Sequence, residues 1–339
     1  MRTLYGIQYL RAAAAIAVVL FHAAEKTGGH FAIGAAGVDV FFVISGFVMW
    51  LVSERRPLTP GRFLTDRIVR IAPAYWLATA VMVFGAFAGL FPNLSLSIGH
   101  MLGSLVFVPV RSPSNGEIWP VLVQGWTLNY EMFFYAVFAL ALLLPRRQQL
   151  PAVAATFAIL VAAGMVLQTD NPLLQTYTRP IILEFVAGMV LGQLWTAGRL
   201  PRPRIGAALV ILSIAGFAAI EIFRLPFDEW NCGPLAIALV LGVLSLEARA
   251  PVRPLPLPAF LGDASYSIYL WHTFAISVVA KAAARLDLAA PIAFALACVL
   301  GILAGAAAYL FVERPLFAAR RSGRRRAAPA GEAVSANGS

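Results

Sequence analysis

Long apolar segments alternate with short polar ones along almost the whole chain. Ten of the apolar segments are close to the roughly 20 residues that a helix needs to cross the hydrocarbon core of a bilayer. With boundary errors of a few residues, they are 7–24, 35–53, 71–91, 126–144, 151–168, 180–197, 205–223, 232–247, 264–281 and 291–312. The pattern predicts an all-α, polytopic integral membrane protein with about ten transmembrane helices.

Three other segments interrupt this pattern. Residues 98–110 are apolar but too short to span, which is typical of a re-entrant or interfacial segment. Pro113, Asn115 and Gly116 mark the residues that follow as a loop. From about residue 318 the chain turns to Arg, Ala, Gly and Ser. We therefore predict a membrane domain over residues 1–317 and a basic, disordered cytoplasmic tail over residues 318–339.

The composition excludes several classes of protein. Of the 339 residues, 60% are hydrophobic and 12% are charged, whereas soluble domains are nearer half apolar and about a quarter charged. A soluble enzyme, a DNA-binding protein and a secreted domain behind a signal peptide are therefore excluded for the chain as a whole. Two cysteines and four histidines, without ligand-like spacing, predict neither a disulfide framework nor a metal site.

The formal net charge of +10 is explained by orientation in the membrane rather than by nucleic acid. Short cytoplasmic loops of membrane proteins are enriched in Lys and Arg. Most of the 26 basic residues fall in segments that ten spans place on the same side as the N-terminus. The charge pattern therefore predicts that both termini are cytoplasmic.

The first predicted span carries two ionisable residues, Arg11 and His22. Eleven residues of helix amount to three turns and about 16 Å, so both lie on one face. Arg11 is expected near the cytoplasmic end and His22 near the external end. Ionisable groups at membrane depth usually have a function. The alternative is a snorkelling arginine and a core histidine whose hydrogen bonds are satisfied.

Two carboxylates are predicted to lie near the external level of His22. Asp39 is close to the start of the second span, and Glu131 lies in the first turns of the fourth. Ser45 and Gly46, further along the second span, are small residues that favour close helix packing. A carboxylate beside a histidine can fix its tautomer and raise its basicity, so Asp39 and Glu131 are candidate catalytic residues.

Aromatic residues precede Glu131 in the fourth span. Trp126 and Tyr130 are candidate substrate-binding residues, although residues of the interfacial aromatic belt have the same pattern. Glu184 and Glu221 are also shallow and external, but neither has a polar cluster around it in the sequence.

A pair of arginines marks the cytoplasmic side of the third span. Arg67 and Arg70 are three residues apart and therefore share a helix face. Arginine suits two-pronged contacts with phosphate, so with Arg11 they are candidates for binding a phosphorylated donor. Ordinary positive-inside charge is the alternative.

The ninth span places three polar residues near one face. Ser265, Tyr269 and His272 are spaced by four and three residues. We take them as candidate substrate-binding residues, with a satisfied core histidine as the alternative for His272. Sorted by depth, the arginines lie at the cytoplasmic end and His22 near the other. A cytoplasmic polyanion with a long flexible arm, such as acyl-CoA, fits that arrangement.

The chain resembles acyltransferase family 3 of membrane proteins, and within it the exopolysaccharide-modifying acetyltransferases. The matching stretches occur in order over residues 4–317, and they are GIQYLRAAAAIAVVLFHA, GVDVFFVISGFVM, FLTDRIVRIAPAYW, WTLNYEMFFY, GDASYSIYLWHT and FVERPL. Each motif is weak alone, and together they are specific. Some relatives continue into a periplasmic hydrolase-like domain. This chain ends at its basic tail, so we expect acceptor choice to depend on the membrane part and its loops.

The resemblance implies a multi-pass protein of the cell inner membrane. It implies transfer of an acyl group, by default acetyl, from cytoplasmic acyl-CoA to a sugar hydroxyl of an extracytoplasmic or lipid-linked polysaccharide. His22 would be the essential histidine, with Arg11, Arg67 and Arg70 at the donor. The implied partners are acyl-CoA, an envelope sugar and membrane lipid, and they include neither nucleic acid nor a metal.

The mechanism is a hypothesis with two forms. His22, oriented by Asp39 or Glu131, acts either as a general base on the acceptor hydroxyl or as a transient acyl carrier. A transporter or channel for an anionic envelope precursor is a different hypothesis that intramembrane Arg and His also suit. An assembly scaffold would leave the shared face of Arg11 and His22 unexplained.

Overall fold

A computed structural model describes residues 3–55, 58–316 and 318 of the chain. Within these residues the secondary structure is helical throughout, with no strand. The all-α prediction is therefore confirmed. Beyond residue 318, the predicted cytoplasmic tail lies outside the described residues.

Twelve α-helices, numbered in chain order, make up most of the described residues. They are α1 Tyr5–Lys26, α2 Gly37–Arg55, α3 Pro60–Phe87, α4 Ile98–Leu105, α5 Gly125–Ala141, α6 Arg146–Val166, α7 Pro172–Tyr177, α8 Leu183–Thr196, α9 Pro203–Phe223, α10 Glu229–Glu247, α11 Pro256–Arg285 and α12 Ala290–Ala308. A short 3₁₀ turn, Ala32–Ala36, leads into α2, and a π-helical turn, Tyr309–Glu313, follows α12. The predicted short apolar segment forms α4, whose eight residues are too few to cross a bilayer.

Seven helical segments in the described part of the chain are long and apolar enough to cross a membrane. They are Tyr5–Lys26, Ala32–Glu54, Pro60–Phe87, Arg146–Val166, Pro203–Phe223, Glu229–Glu247 and Ala290–Leu316. The other three predicted spans are helical as well. Helix α5 has 17 residues and the run Pro180–Thr196 that includes α8 is also short, whereas α11 is long enough at 30 residues but less apolar than the seven. The count of ten spans and the cytoplasmic termini stay predictions.

The outer surface of the bundle is strongly apolar. Phe84, Val166, Ile211 and Phe311 are largely exposed, and they come from four different parts of the chain. Water-soluble proteins rarely expose apolar surface on this scale, because its contact with water is unfavourable. Such a surface is what lipid chains would cover.

The centre of the bundle is built from stacked aromatic rings. Phe185 of α8 stacks on Phe42 of α2 and on Phe134 of α5, with ring centroids 4.5 Å apart in both pairs. Helices α2 and α8 pack closely at Gly46, where a Cβ atom would lie 2.8 Å from the carbonyl carbon of Phe185. A small residue there allows the two backbones to approach, as the sequence pattern predicts for Gly46.

Candidate active site

A cavity of about 330 Å³ opens between α1, α2, α3, α5 and α11. Its volume lies in the usual range of small-molecule sites. The wall is mostly apolar and comes largely from α2. The polar residues of the wall include several of the predicted site residues, and they are Thr3, Gln8, Arg11, Ser45, Arg67, Arg70, Thr127, Glu131, Tyr135, Ser265, Tyr266 and Tyr269.

Three arginines give this cavity its positive charge. Helix α3 begins at Pro60, after Thr59, whose hydroxyl accepts a hydrogen bond from the backbone N–H of Arg62 at 3.4 Å. From that start, Arg67 and Arg70 face the same cavity as Arg11. The Nε atom of Arg67 is buried and has no hydrogen-bond partner among the described residues. Buried donors are normally paired, so this group is suited to an anionic ligand.

Glu131 lies with the arginines, which corrects the predicted placement beside His22. It faces Ser45 and interacts electrostatically with Arg70, Arg11 and Arg67. The reason is the segment before α5, which folds into the bundle and buries Leu122. The residues just before α5 are therefore enclosed by the protein, and Glu131 faces the cavity.

Asp39 is also separated from His22, contrary to prediction. The turn Ala32–Ala36 packs back along α1, so α2 begins beside the middle of that helix, where Gly37 contacts Ala14. Asp39 is buried and faces the buried carboxyl group of Glu184 on α8. The polar residue that faces Glu184 is therefore Asp39, which lies far away in sequence and gives no local signal.

His22 instead contacts Glu25 and His272. Its Nδ1 atom lies 3.3 Å from Oε2 of Glu25, and the two imidazole ring centroids are 5.2 Å apart. A carboxylate can only accept, so Nδ1 of His22 donates in this pair and Nε2 is left as the basic nitrogen. The carboxylate that the structure pairs with His22 is thus Glu25, and catalytic roles for Asp39 and Glu131 stay predictions. Glu25 is absent from the residues predicted for the site, although its i,i+3 spacing from His22 is a usable signal.

The polar residues of α11 extend from the cavity towards His22. Ser265 and Tyr269 line the cavity, and His272 lies one turn beyond Tyr269, with ring centroids 6.2 Å apart. The hydroxyl of Tyr269 donates to the carbonyl of Gln124 at 3.2 Å and accepts from Thr127 at 3.1 Å. This predicted set is thus split between the cavity wall and the surroundings of His22.

Trp126 and Tyr130 do not belong to the cavity wall. Their rings pack edge to face at 5.8 Å, and Tyr130 also contacts Phe42 at 5.9 Å and Tyr177 at 6.3 Å. Tyr130 is buried in the aromatic core and Trp126 is half-buried. The structure therefore places both residues in packing contacts, and their contact with substrate stays a prediction.

Nearly the whole chain matches one family of known proteins. A family model described as an acyltransferase domain covers residues 4–310. The chain belongs to the acyltransferase 3 family. It is accordingly an acyltransferase. His22, Glu25 and His272 lie inside the matched region, and so do all residues of the cavity wall except Thr3.

Several named proteins are similar to this acyltransferase. It is 62% identical over 316 residues to the exopolysaccharide production protein ExoZ of Rhizobium meliloti (strain 1021), which covers 93% of this chain and 100% of that protein. It is 29% identical to the putative membrane-bound transacylase BcsY of Komagataeibacter xylinus, over 78% of this chain and 71% of that protein. It is 27% identical to the O-acetyltransferase OatA of Staphylococcus aureus (strain NCTC 8325 / PS 47), over 80% of this chain and 50% of that protein. No solved structure matches the chain.

Proposed function

We propose that this acyltransferase resides in the cell inner membrane and acts across it. The acyl group, by default acetyl, comes from cytoplasmic acyl-CoA and is transferred to a sugar hydroxyl of an extracytoplasmic or lipid-linked polysaccharide. Similarity to an exopolysaccharide production protein and to an O-acetyltransferase supports this choice of acceptor and acyl group.

The observation that carries the proposal is the distribution of charge along α1. Arg11 faces the cavity with Arg67 and Arg70, whereas His22, three turns further on, pairs with Glu25 outside it. These two ends are about 16 Å apart along the helix axis. A donor whose phosphates bind at the arginines needs an extended arm to bring a reactive carbonyl to His22, and the pantetheine arm of CoA has that form.

The charge of the cavity suits a phosphorylated donor. Guanidinium groups form strong, charge-assisted hydrogen bonds with phosphate. Glu131 among the arginines limits their mutual repulsion while the donor is absent, because opposite charges attract more strongly where water is excluded. The apolar wall supplied by α2 would accommodate the methylene groups of the arm.

The chemistry at the other end depends on His22. With Nδ1 directed at Glu25, the free Nε2 can take the proton of an acceptor hydroxyl as that oxygen attacks the thioester carbonyl. The same nitrogen could instead attack the thioester and form an acyl-imidazole, which the acceptor then opens. Both forms require a neutral His22 with Nε2 unprotonated.

The test uses membranes that contain the full-length protein, labelled acetyl-CoA and polysaccharide acceptor. His22→Ala should lower transfer by about a hundredfold or more, because the base or nucleophile is lost, and it should still bind CoA. Arg67→Ala combined with Arg70→Ala should weaken CoA binding by about tenfold or more, because charge-assisted contacts to phosphate are lost.

A matched control removes the same charge elsewhere. Arg202 and Arg204 are outside the cavity wall and lie in a predicted cytoplasmic segment, and both are exposed. Changing both to Ala should leave CoA affinity unchanged. Normal acetylation by His22→Ala would refute the assignment of His22. Equal CoA affinity in all the arginine variants would refute the donor site, and flux of acceptor through proteoliposomes without acyl-CoA would favour the transporter.

A further inference from the structure

His272 is a second histidine with a free nitrogen beside His22. It is fully buried, and its Nδ1 atom lies 2.9 Å from the backbone carbonyl oxygen of Ile268. A carbonyl only accepts, so Nδ1 carries the hydrogen and the neutral ring keeps its lone pair on Nε2. That Nε2 atom is buried and has no hydrogen-bond partner among the described residues. Buried polar atoms are normally hydrogen-bonded, and this one belongs to a ring that packs against His22, which makes it a candidate for a role in the reaction.

The packing of α1 on α11 fixes the level of His272. Gly262 approaches α1 so closely that a Cβ atom there would lie 2.9 Å from the carbonyl carbon of Gln8. Ten residues further along α11, His272 therefore lies level with Val18, and Gly301 of α12 packs against His272 and Val19 together. The two helices run parallel, because Gly262 contacts Gln8 near the start of each helix and His272 contacts His22 later in each.

This register places His272 between His22 and the cavity. Val18 precedes His22 by four residues, so His272 is about one turn, or 6 Å along the axis, nearer the arginine end. On the cavity side, His272 packs against Tyr269, which lines the cavity. On the other side, its ring is 5.2 Å from the ring of His22.

The proposed reaction releases its two products on different sides of this pair. When the acceptor oxygen bonds to the acyl carbon, its proton passes to Nε2 of His22. The bond between carbon and sulfur then breaks and leaves a CoA thiolate on the cavity side. Thiols have a pKa of about 8.5, so near neutral pH the sulfur finally holds a proton. The proton removed near His22 is therefore needed at the donor.

We propose that His272 is a second catalytic residue, which carries this proton from His22 to the departing sulfur. Nε2 of His272 accepts the proton from Nε2 of His22 and then donates it to the thiolate. Both histidines are then neutral again. The products are CoA thiol and the O-acylated sugar, so every atom and charge balances. This role rests on the proposed function of His22.

The test compares two acetyl thioesters in membranes containing the full chain. One is acetyl pantetheine, whose alkyl thiol is weakly acidic, and the other is an aryl thioester, whose thiol is more acidic and leaves without a proton. His272→Gln removes the proton carrier but keeps a polar side chain of similar size. We expect transfer from acetyl pantetheine to fall by about a hundredfold, and transfer from the aryl thioester to fall much less.

The control is His100→Gln, since His100 is also buried but lies in α4, where its Nε2 is 2.8 Å from the carbonyl oxygen of Trp119. Its ratio of rates with the two donors should equal that of the wild type. The ratio of the two rates does not depend on how much of the variant protein folds. The same ratio measured for His272→Asn provides an independent check. An equal loss with both donors, or no loss at all, would overturn the role of His272. Normal transfer by His22→Ala would instead overturn the proposed function beneath it.

Discussion

Glu25 offers a direct test of how His22 is oriented. Its carboxylate lies 3.3 Å from Nδ1 of His22 and is 54% exposed, so the pair is weakened by solvent but holds the ring tautomer. Glu25→Ala should lower the rate of acyl transfer about tenfold and leave CoA affinity unchanged. Glu25→Gln should lose less, because an amide oxygen still accepts from Nδ1. Kinetics with membranes of matched protein content would measure both effects.

The control for that substitution is Glu117→Gln, which alters an exposed carboxylate in the loop before α5. Its rate should match the wild type. If Glu25→Ala transferred at the wild-type rate, the contact between Glu25 and His22 would have no part in catalysis.

At the scale of residues, helical spacing is the reliable guide. Arg11, Arg67 and Arg70 are predicted to act together because of their positions on their helices and their predicted depth, and the structure brings them to one cavity. The spacing of Glu25 from His22 carries a signal too. Glu25 lies at the end of a helix, however, where an ordinary surface carboxylate is equally expected. The sequence alone does not distinguish a partner of His22 from a surface residue.

At the scale of elements, the packing of α2 on α8 makes Gly46 sensitive to substitution. A Cβ atom there would lie 2.8 Å from the carbonyl carbon and 3.0 Å from the Cα atom of Phe185, and backbone has little freedom to move away. Gly46→Ala should therefore destabilise the protein by about 1–3 kcal/mol. Thermal unfolding in detergent should show this as a lower Tm.

A glycine with free space around it provides the comparison. At Gly99 in α4, no neighbouring atom lies within 4 Å of the position that a Cβ atom would take, so Gly99→Ala should not lower the Tm. A Tm for Gly46→Ala equal to that of the wild type would mean that α2 and α8 are further apart than described.

The predicted grouping of Asp39 and Glu131 with His22 differs from the structure because connecting segments fold into the bundle. Sequence places the start of each span at the membrane surface, which puts Asp39 and Glu131 near the level of His22. The turn Ala32–Ala36 and the buried residues before α5 both lie inside instead. Hydropathy measures how apolar a segment is, and it does not show whether a loop returns into the protein. Helices are thus predictable from hydropathy, and the neighbours of their first turns are not.

At the scale of the whole molecule, the number of crossings decides which side each loop faces. Ten spans put Gln148 in the cytoplasm and Gln168 outside. If only the seven segments long and apolar enough to span did so, α5 would not cross and both positions would change sides. The basic residues favour ten spans, because the cytoplasmic loops then collect most of the Lys and Arg.

Cysteine labelling in intact cells distinguishes the two counts. Gln148 and Gln168 are exposed, whereas the native Cys232 and Cys298 are buried and should stay unlabelled. A membrane-impermeant maleimide should label Gln168→Cys in intact spheroplasts, and should label Gln148→Cys only after lysis. The opposite pattern would remove α5 from the spans. It would also reverse the side that each end of α6 faces. The separation of Arg11 from His22 along α1 would be unaffected, but the prediction of ten spans would be wrong.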